Sequence, residues 1–80
     1  MTEPILFTNT MFETANEAFL FCKDDLEKKG HVFAATHLES CGPVYNAVTG
    51  RLALDALHAV QPVCAYADIA INAVERALRF

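Results

Sequence analysis

Cations are scarce in this sequence. Six Lys/Arg stand against ten Asp/Glu, a formal net charge of −4 at pH 7. No basic run exceeds Lys28-Lys29, so little is available to neutralise a phosphate backbone and nucleic-acid binding is not expected. Arg76 and Arg79 read instead as cations at a helix C-terminus, where they complement the dipole. Long charge-free apolar runs are missing too. The stretch Ala56 to Ala67 is among the longest and contains Pro62, well short of the roughly 18 residues of a membrane span, so no membrane segment is expected. The opening Met1-Thr2-Glu3-Pro4 has no basic n-region, and no signal peptide is expected from it. Three cysteines, an odd number without a secretory signal, fit reduced thiols in a cytoplasm better than a disulfide framework.

Chemistry-bearing motifs are equally thin. There is no CxxC, no HExxH and no glycine-rich phosphate loop. The Glu and Glu-x-x-His pattern of di-iron bundles is absent as well. His37 and Cys41 are four apart and would share a helical face. Zinc takes four ligands, however, and His31 and His58 do not obviously converge on that face. Ser40-Cys41-Gly42-Pro43 places a cysteine at a helix end, where the dipole disfavours a thiolate and no His or acid is at hand. Asp24 and Asp25, flanked by Lys23, Lys28 and Lys29, read as a solvated face with i,i+4 pairs. Asp68 and Asn72 lie one turn apart and are candidates for hydrogen bonding across an interface. No catalytic set and no cofactor is expected.

What the sequence does contain is apolar surface. The chain has 80 residues, 54% of them hydrophobic, above the roughly 45–50% of an average globular domain. So small a domain hides only part of its surface, and the surplus points to burial against a partner, foremost a second copy.

The apolar residues are periodic. Residues 1–9 form an arm whose Ile5-Leu6-Phe7 is either extended or an edge strand. Thr10 and Glu13 have capping-box spacing. After them Phe12, Ala15, Phe19, Cys22 and Leu26 recur at helical intervals, with Glu13, Asn16, Glu17, Lys23, Asp24, Glu27 and Lys28 opposite: an amphipathic helix. The same rhythm runs on through Gly30, Phe33 and His37, so the first helical half is taken to span 10–41. The alternative is a stop at Gly30 as a C′ glycine. Gly42-Pro43 breaks the chain. The second half, 44–79, becomes strongly helical from Arg51 and carries the stripe Leu57, Val60, Cys64, Ala67, Ile71, Val74 and Leu78. Pro62 falls inside it, yet the phase is unchanged across it. One bent helix is therefore expected, with two helices and Pro62 at the start of the second as the alternative.

Folding back at Gly42-Pro43 pairs the stripes with constant index sums: Phe12 with Val74, Ala15 with Ile71, Phe19 with Ala67, Cys22 with Cys64, Leu26 with Val60. Gly30 then falls near Leu57 and Phe33 near Ala53. Cys22 and Cys64 are read as core thiols, buried cysteine being common. The expected fold is all-α: a helical hairpin of two long helices in a single domain, 1–80. A second seam on the C-terminal half, Ala56, Ala59, Val63, Tyr66, Ala70, Ala73 and Ala77, together with Leu20 and Phe21, exceeds what one hairpin covers. Two copies would form a four-helix bundle; if Gly30 and Pro62 instead break both halves, the alternative is a compact monomeric bundle of three or four short helices. The expected self-association or partner interface is therefore Leu20, Phe21, Ala59, Val63, Tyr66, Ala70, Ala73 and Ala77.

Val60-Gln61-Pro62-Val63 through Asp68-Ile69-Ala70-Ile71-Asn72-Ala73-Val74 resembles the C-terminal helix of short, uncharacterised bacterial helical proteins of the domain-of-unknown-function type. The opening Phe7 to Leu26 is loosely similar to theirs. The resemblance implies an all-helical architecture. The functional expectation is a small non-catalytic regulatory or adaptor protein acting through protein–protein contacts, for example by sequestering a larger partner. A transcription regulator or, for a phage-encoded chain, a host factor would be such a partner. The alternative is a small-ligand or metal-binding bundle, with Cys22, Cys64 and the His37/Cys41 pair near its site.

Overall fold

The computed structural model describes residue 7 and residues 9–79. Among them the chain is all-helical: α1 (Thr10–Lys28), α2 (Val32–Cys41), α3 (Ala47–Val60), a short 3-10 turn (Gln61–Val63) and α4 (Ala67–Arg79). Of the arm, Ile5 and Leu6 lie outside the described residues, while Phe7 is half-buried against the core.

Four helices thus replace the two long ones, and the breaks fall at Gly30 and around Pro62. Gly30 has φ +83°, a left-handed conformation that costs side-chain-bearing residues energy and glycine none. Gly30 N–H donates to Glu27 O at 3.1 Å and His31 N–H to Leu26 O at 2.9 Å. This is a Schellman termination, in which two otherwise orphaned helix-end carbonyls are satisfied. The expected continuation through Gly30, Phe33 and His37 is corrected accordingly: Gly30 and His37 are exposed, and Phe33 is 93% exposed rather than packed near Ala53. The α2 helix buries Ala35 and Leu38 instead.

At the second break α3 ends at Val60 and Pro62 sits in the first turn of the 3-10 segment, where its missing N–H costs nothing. Cys64 follows with extended backbone, φ −129° and ψ 115°. Yet Leu57, Val60, Cys64, Ala67, Ile71 and Val74 are all buried. The unbroken phase therefore records which side of the chain meets the core, and does not record a continuous helix.

The helix starts also differ from the expected ones. Asn9, not Thr10, caps α1: its side-chain oxygen accepts from Phe12 N–H at 3.1 Å, satisfying a free donor of the first turn. The α3 helix begins at Ala47, before Arg51, because Asn46 and Thr49 form a reciprocal capping box. Thr49 N–H donates to Asn46 Oδ1 at 2.9 Å, and Asn46 N–H donates to Thr49 Oγ1 at 3.0 Å.

The helices close a ring, α1 packing on α2, α2 on α3, α3 on α4 and α4 on α1, while α1 and α3 scarcely meet. One chain thus assembles the four packed helices that a two-helix hairpin needed a second copy to supply. The radius of gyration is 11.6 Å, the value expected for a compact chain of this length. The molecule is a flat slab of 32 × 32 × 16 Å. A slab holds a thin core, whose largest fully buried side chains include Phe19, Leu26, Leu38 and Leu57.

Two polar or backbone features tie the break between α2 and α3 to α1. Asn16, expected on the polar face, is buried, and its Oδ1 accepts from Val44 N–H at 2.9 Å. Gly42 precedes a cis peptide bond to Pro43 and lies against the Phe19 ring, so close that a Cβ there would stand 2.5 Å from Phe19 Cε2.

Candidate functional interface

Helix α1 sets the positions of Leu20 and Phe21. Its apolar stripe faces the core, so the residues one step around, Leu20 and Phe21, point outward and are 40% and 58% exposed. Tyr66 sits at the entry to α4, just past the junction that Pro62 opens. The Phe21 and Tyr66 rings meet edge to face, with centroids 4.8 Å apart and planes at 76°, the geometry that the ring quadrupoles favour. Both remain on the surface, Tyr66 at 37% exposure. Val63 and Ala59, on the 3-10 turn and the last turn of α3, are also exposed.

The other expected interface residues are placed differently. Ala70 and Ala77 are buried within this chain's own core, and Ala73 is half-buried. The small-residue seam of α4 is occupied by neighbouring helices of the same chain. Exposed apolar side chains also occur where periodicity assigned none: Val32 and Phe33 on α2, Val48 and Leu52 on α3, Ile69 on α4. The signal that could have found Phe33 is Gly30, three residues before it. Once Gly30 ends α1, the phase that carried Phe33 inward no longer applies.

Charges surround the aromatic pair. Phe21, Tyr66, Asp24, Asp25 and Lys28 line a depression of about 190 Å³. Lys29 Nζ is 3.1 Å from Asp25 Oδ2, and Lys23 Nζ is 3.8 Å from Glu27 Oε1, both i,i+4 pairs. The hydrogen bond and charge of Asp25 hold the Lys29 ammonium above its ordinary range. Asp68 accepts from Gln61 Nε2 and so braces the junction between α3 and α4. A second depression of about 160 Å³ lies between Phe19, Leu20, Lys23, Glu39, Gly42 and Pro43. Both are smaller than the roughly 300–1,000 Å³ of pockets that enclose drug-sized ligands.

The thiols are separated by the fold. Cys22 and Cys64 are brought together in the core, Sγ to Sγ 2.7 Å, as the constant index sum places them. Burial, then the hydrogen bond and charge of Cys64, push the Cys22 thiol well above its ordinary range. Cys41 is half-buried at the end of α2, next to Ser40, whose hydroxyl donates to His37 O at 2.7 Å. Among the described residues no three of His, Cys, Asp and Glu gather in a way that could hold a metal ion. No helix among them is long and apolar enough to cross a membrane.

Comparison with protein-family models, with curated proteins and with solved structures finds no match to this chain.

Proposed function

We propose that this is a small non-catalytic regulatory or adaptor protein of the cytoplasm that works through protein–protein contacts. Its first partner is a second copy of itself. The observation that carries this reading is the Phe21–Tyr66 pair. Two aromatic rings from different elements, 4.8 Å apart, stand on the surface of a slab too thin to cover them. Exposed aromatic rings are the usual anchors of protein interfaces, because they bury a large area while losing few rotamers. Leu20 precedes Phe21, and Val63 and Ala59 lie on the junction that leads to Tyr66. All three are exposed, and Asp24 and Lys28, which line the depression beside the ring pair, supply a charged rim. A dimer formed this way would be isologous, so each side chain counts twice. A larger partner held in the same manner would be sequestered by covering its own apolar face.

Light scattering across a concentration series tests the reading. The expected mass rises from 8.8 kDa toward twice that value. Phe21→Ser, which removes an exposed ring, is expected to weaken the dimer by about 10- to 30-fold while the chain stays folded, its melting temperature lower by only the few degrees that the lost contact with Tyr66 accounts for. A mass of 8.8 kDa at every concentration would overturn self-association, and an unaltered dimer in Phe21→Ser would move it off this patch.

A further inference from the structure

Cys22 and Cys64 are 42 positions apart in sequence, yet their sulfurs stand 2.7 Å apart. Ordinary van der Waals contact between heavy atoms falls at about 3.5–4 Å, so the side chains already aim at one another inside the distance of simple packing. Cys22 is fixed in the interior of α1. Cys64 is fixed by the extended residue between the 3-10 turn and α4, and its thiol also faces Cys22 O at 3.9 Å. The third cysteine, Cys41, lies on α2 and makes its sulfur contact with the Ser40 hydroxyl. Core packing alone explains two buried cysteines; it does not explain two sulfurs directed at each other from elements so far apart in sequence.

We infer that Cys22 and Cys64 are a dithiol–disulfide pair, a reversible staple between α1 and the α3–α4 junction, with Cys41 left outside it. In a reducing compartment the pair is held as two thiols. A low-molecular-weight disulfide such as glutathione disulfide closes it. Both S–H bonds of the pair break and one S–S bond forms between the two Sγ atoms. The two electrons and two protons pass to the oxidant, whose own S–S bond breaks to leave two glutathione thiols. The exchange runs through a mixed disulfide. Cys64 is itself buried, but it lies outside any helix and is flanked by the exposed Val63, Ala65 and Tyr66, so local opening of this junction presents its thiolate to the oxidant and Cys64 carries the glutathione. As the junction settles back, Cys22 gives up its proton and its sulfur attacks Cys64 Sγ, and the glutathione leaves as its thiol; burial, which favours the protonated Cys22, makes this closing step the slow one. The inference stands apart from the docking reading, although Phe21 and Tyr66 flank the two cysteines.

The test equilibrates the reduced full chain with glutathione and excess glutathione disulfide, then unfolds it in N-ethylmaleimide and weighs it. One alkylated thiol in place of three is expected, and none in place of two in Cys41→Ala, with a proteolytic peptide pair joined through Cys22 and Cys64 in both. The oxidised protein is expected to melt about 15 °C or more above the reduced form, because the link closes a long loop, and dithiothreitol should return it to the starting value. Three alkylated thiols after equilibration, a link that uses Cys41, or an oxidised form that melts no higher would each overturn the inference.

Discussion

Gly42 and Gly30 are both required at their positions, for different physical reasons, and the difference can be measured. Gly42 has φ −96° and ψ 177°, extended backbone that alanine adopts without strain. Its constraint is space: an added Cβ would stand 2.5 Å from Phe19 Cε2 and 3.1 Å from Cζ. Phe19 is 1% exposed, so its ring cannot swing into solvent, and the core or the segment between α2 and α3 must shift. Overpacking of this kind costs about 1–3 kcal/mol. In a domain of this size each kcal/mol moves the melting temperature by about 4–8 °C, so Gly42→Ala should lower it by roughly 4–24 °C. Gly30 is the reverse case. Nothing lies within 4 Å of its added Cβ, but φ is +83°, and Gly30→Ala should cost about 1–2 kcal/mol through left-handed strain alone. Thermal and urea unfolding of both variants, each combined with Phe19→Leu, separates the two mechanisms. Shortening the ring makes room, so the cost of Gly42→Ala should shrink by about 1 kcal/mol or more in the Phe19→Leu background. The cost of Gly30→Ala should not change. The reasoning fails if Gly42→Ala is within about 0.5 kcal/mol of the parent, or if its cost is the same in both backgrounds.

Asn16→Ala should destabilise the chain by about 1–3 kcal/mol in urea, since it leaves the Val44 N–H buried without its acceptor. A loss comparable to that of an exposed substitution such as Asn72→Ala would show that Val44 finds another partner. The reduced protein should lose stability above about pH 9. The folded-state value of Cys22 is raised from 9.0 by burial and by Cys64, so the native chain keeps a proton that the unfolded chain releases. That contribution is complete below the unfolded value and declines as pH rises beyond it, with a slope approaching 1.4 kcal/mol per unit. Unfolding of the parent and of Cys22→Ala from pH 7 to pH 10.5 checks this, and equal slopes would refute it.

The helical content and much of the core were legible in the sequence. Phe12, Ala15, Phe19, Cys22, Leu26, Leu57, Val60, Cys64, Ala67, Ile71 and Val74 all repeat at helical spacing, and all are buried. The Cys22–Cys64 pairing followed from the stripe arithmetic and is met in the structure. The capping box of α3 was also present as Asn46 and Thr49, but its apolar run lies further along and drew the expected start to Arg51. The candidate interface was legible in part. Phe21 and Tyr66 lie off the main stripe and are exposed. Ala70 and Ala77 also lie off it, yet they are buried, because a ring of four helices buries more than one face of α4.

Local sequence therefore determined that the chain is helical, most of the residues that face inward and how few chemical groups the chain carries. Those properties depend on side-chain spacing and on charges within a turn or two. Only the tertiary structure decided whether the stripes ran through Gly30 and Pro62 or turned there. A glycine costs little in either conformation, and a proline is tolerated at a helix start, so the choice falls to long-range packing. That packing closed four short helices into a slab 16 Å thick, placed Cys22 against Cys64, and left Phe21 and Tyr66 outside.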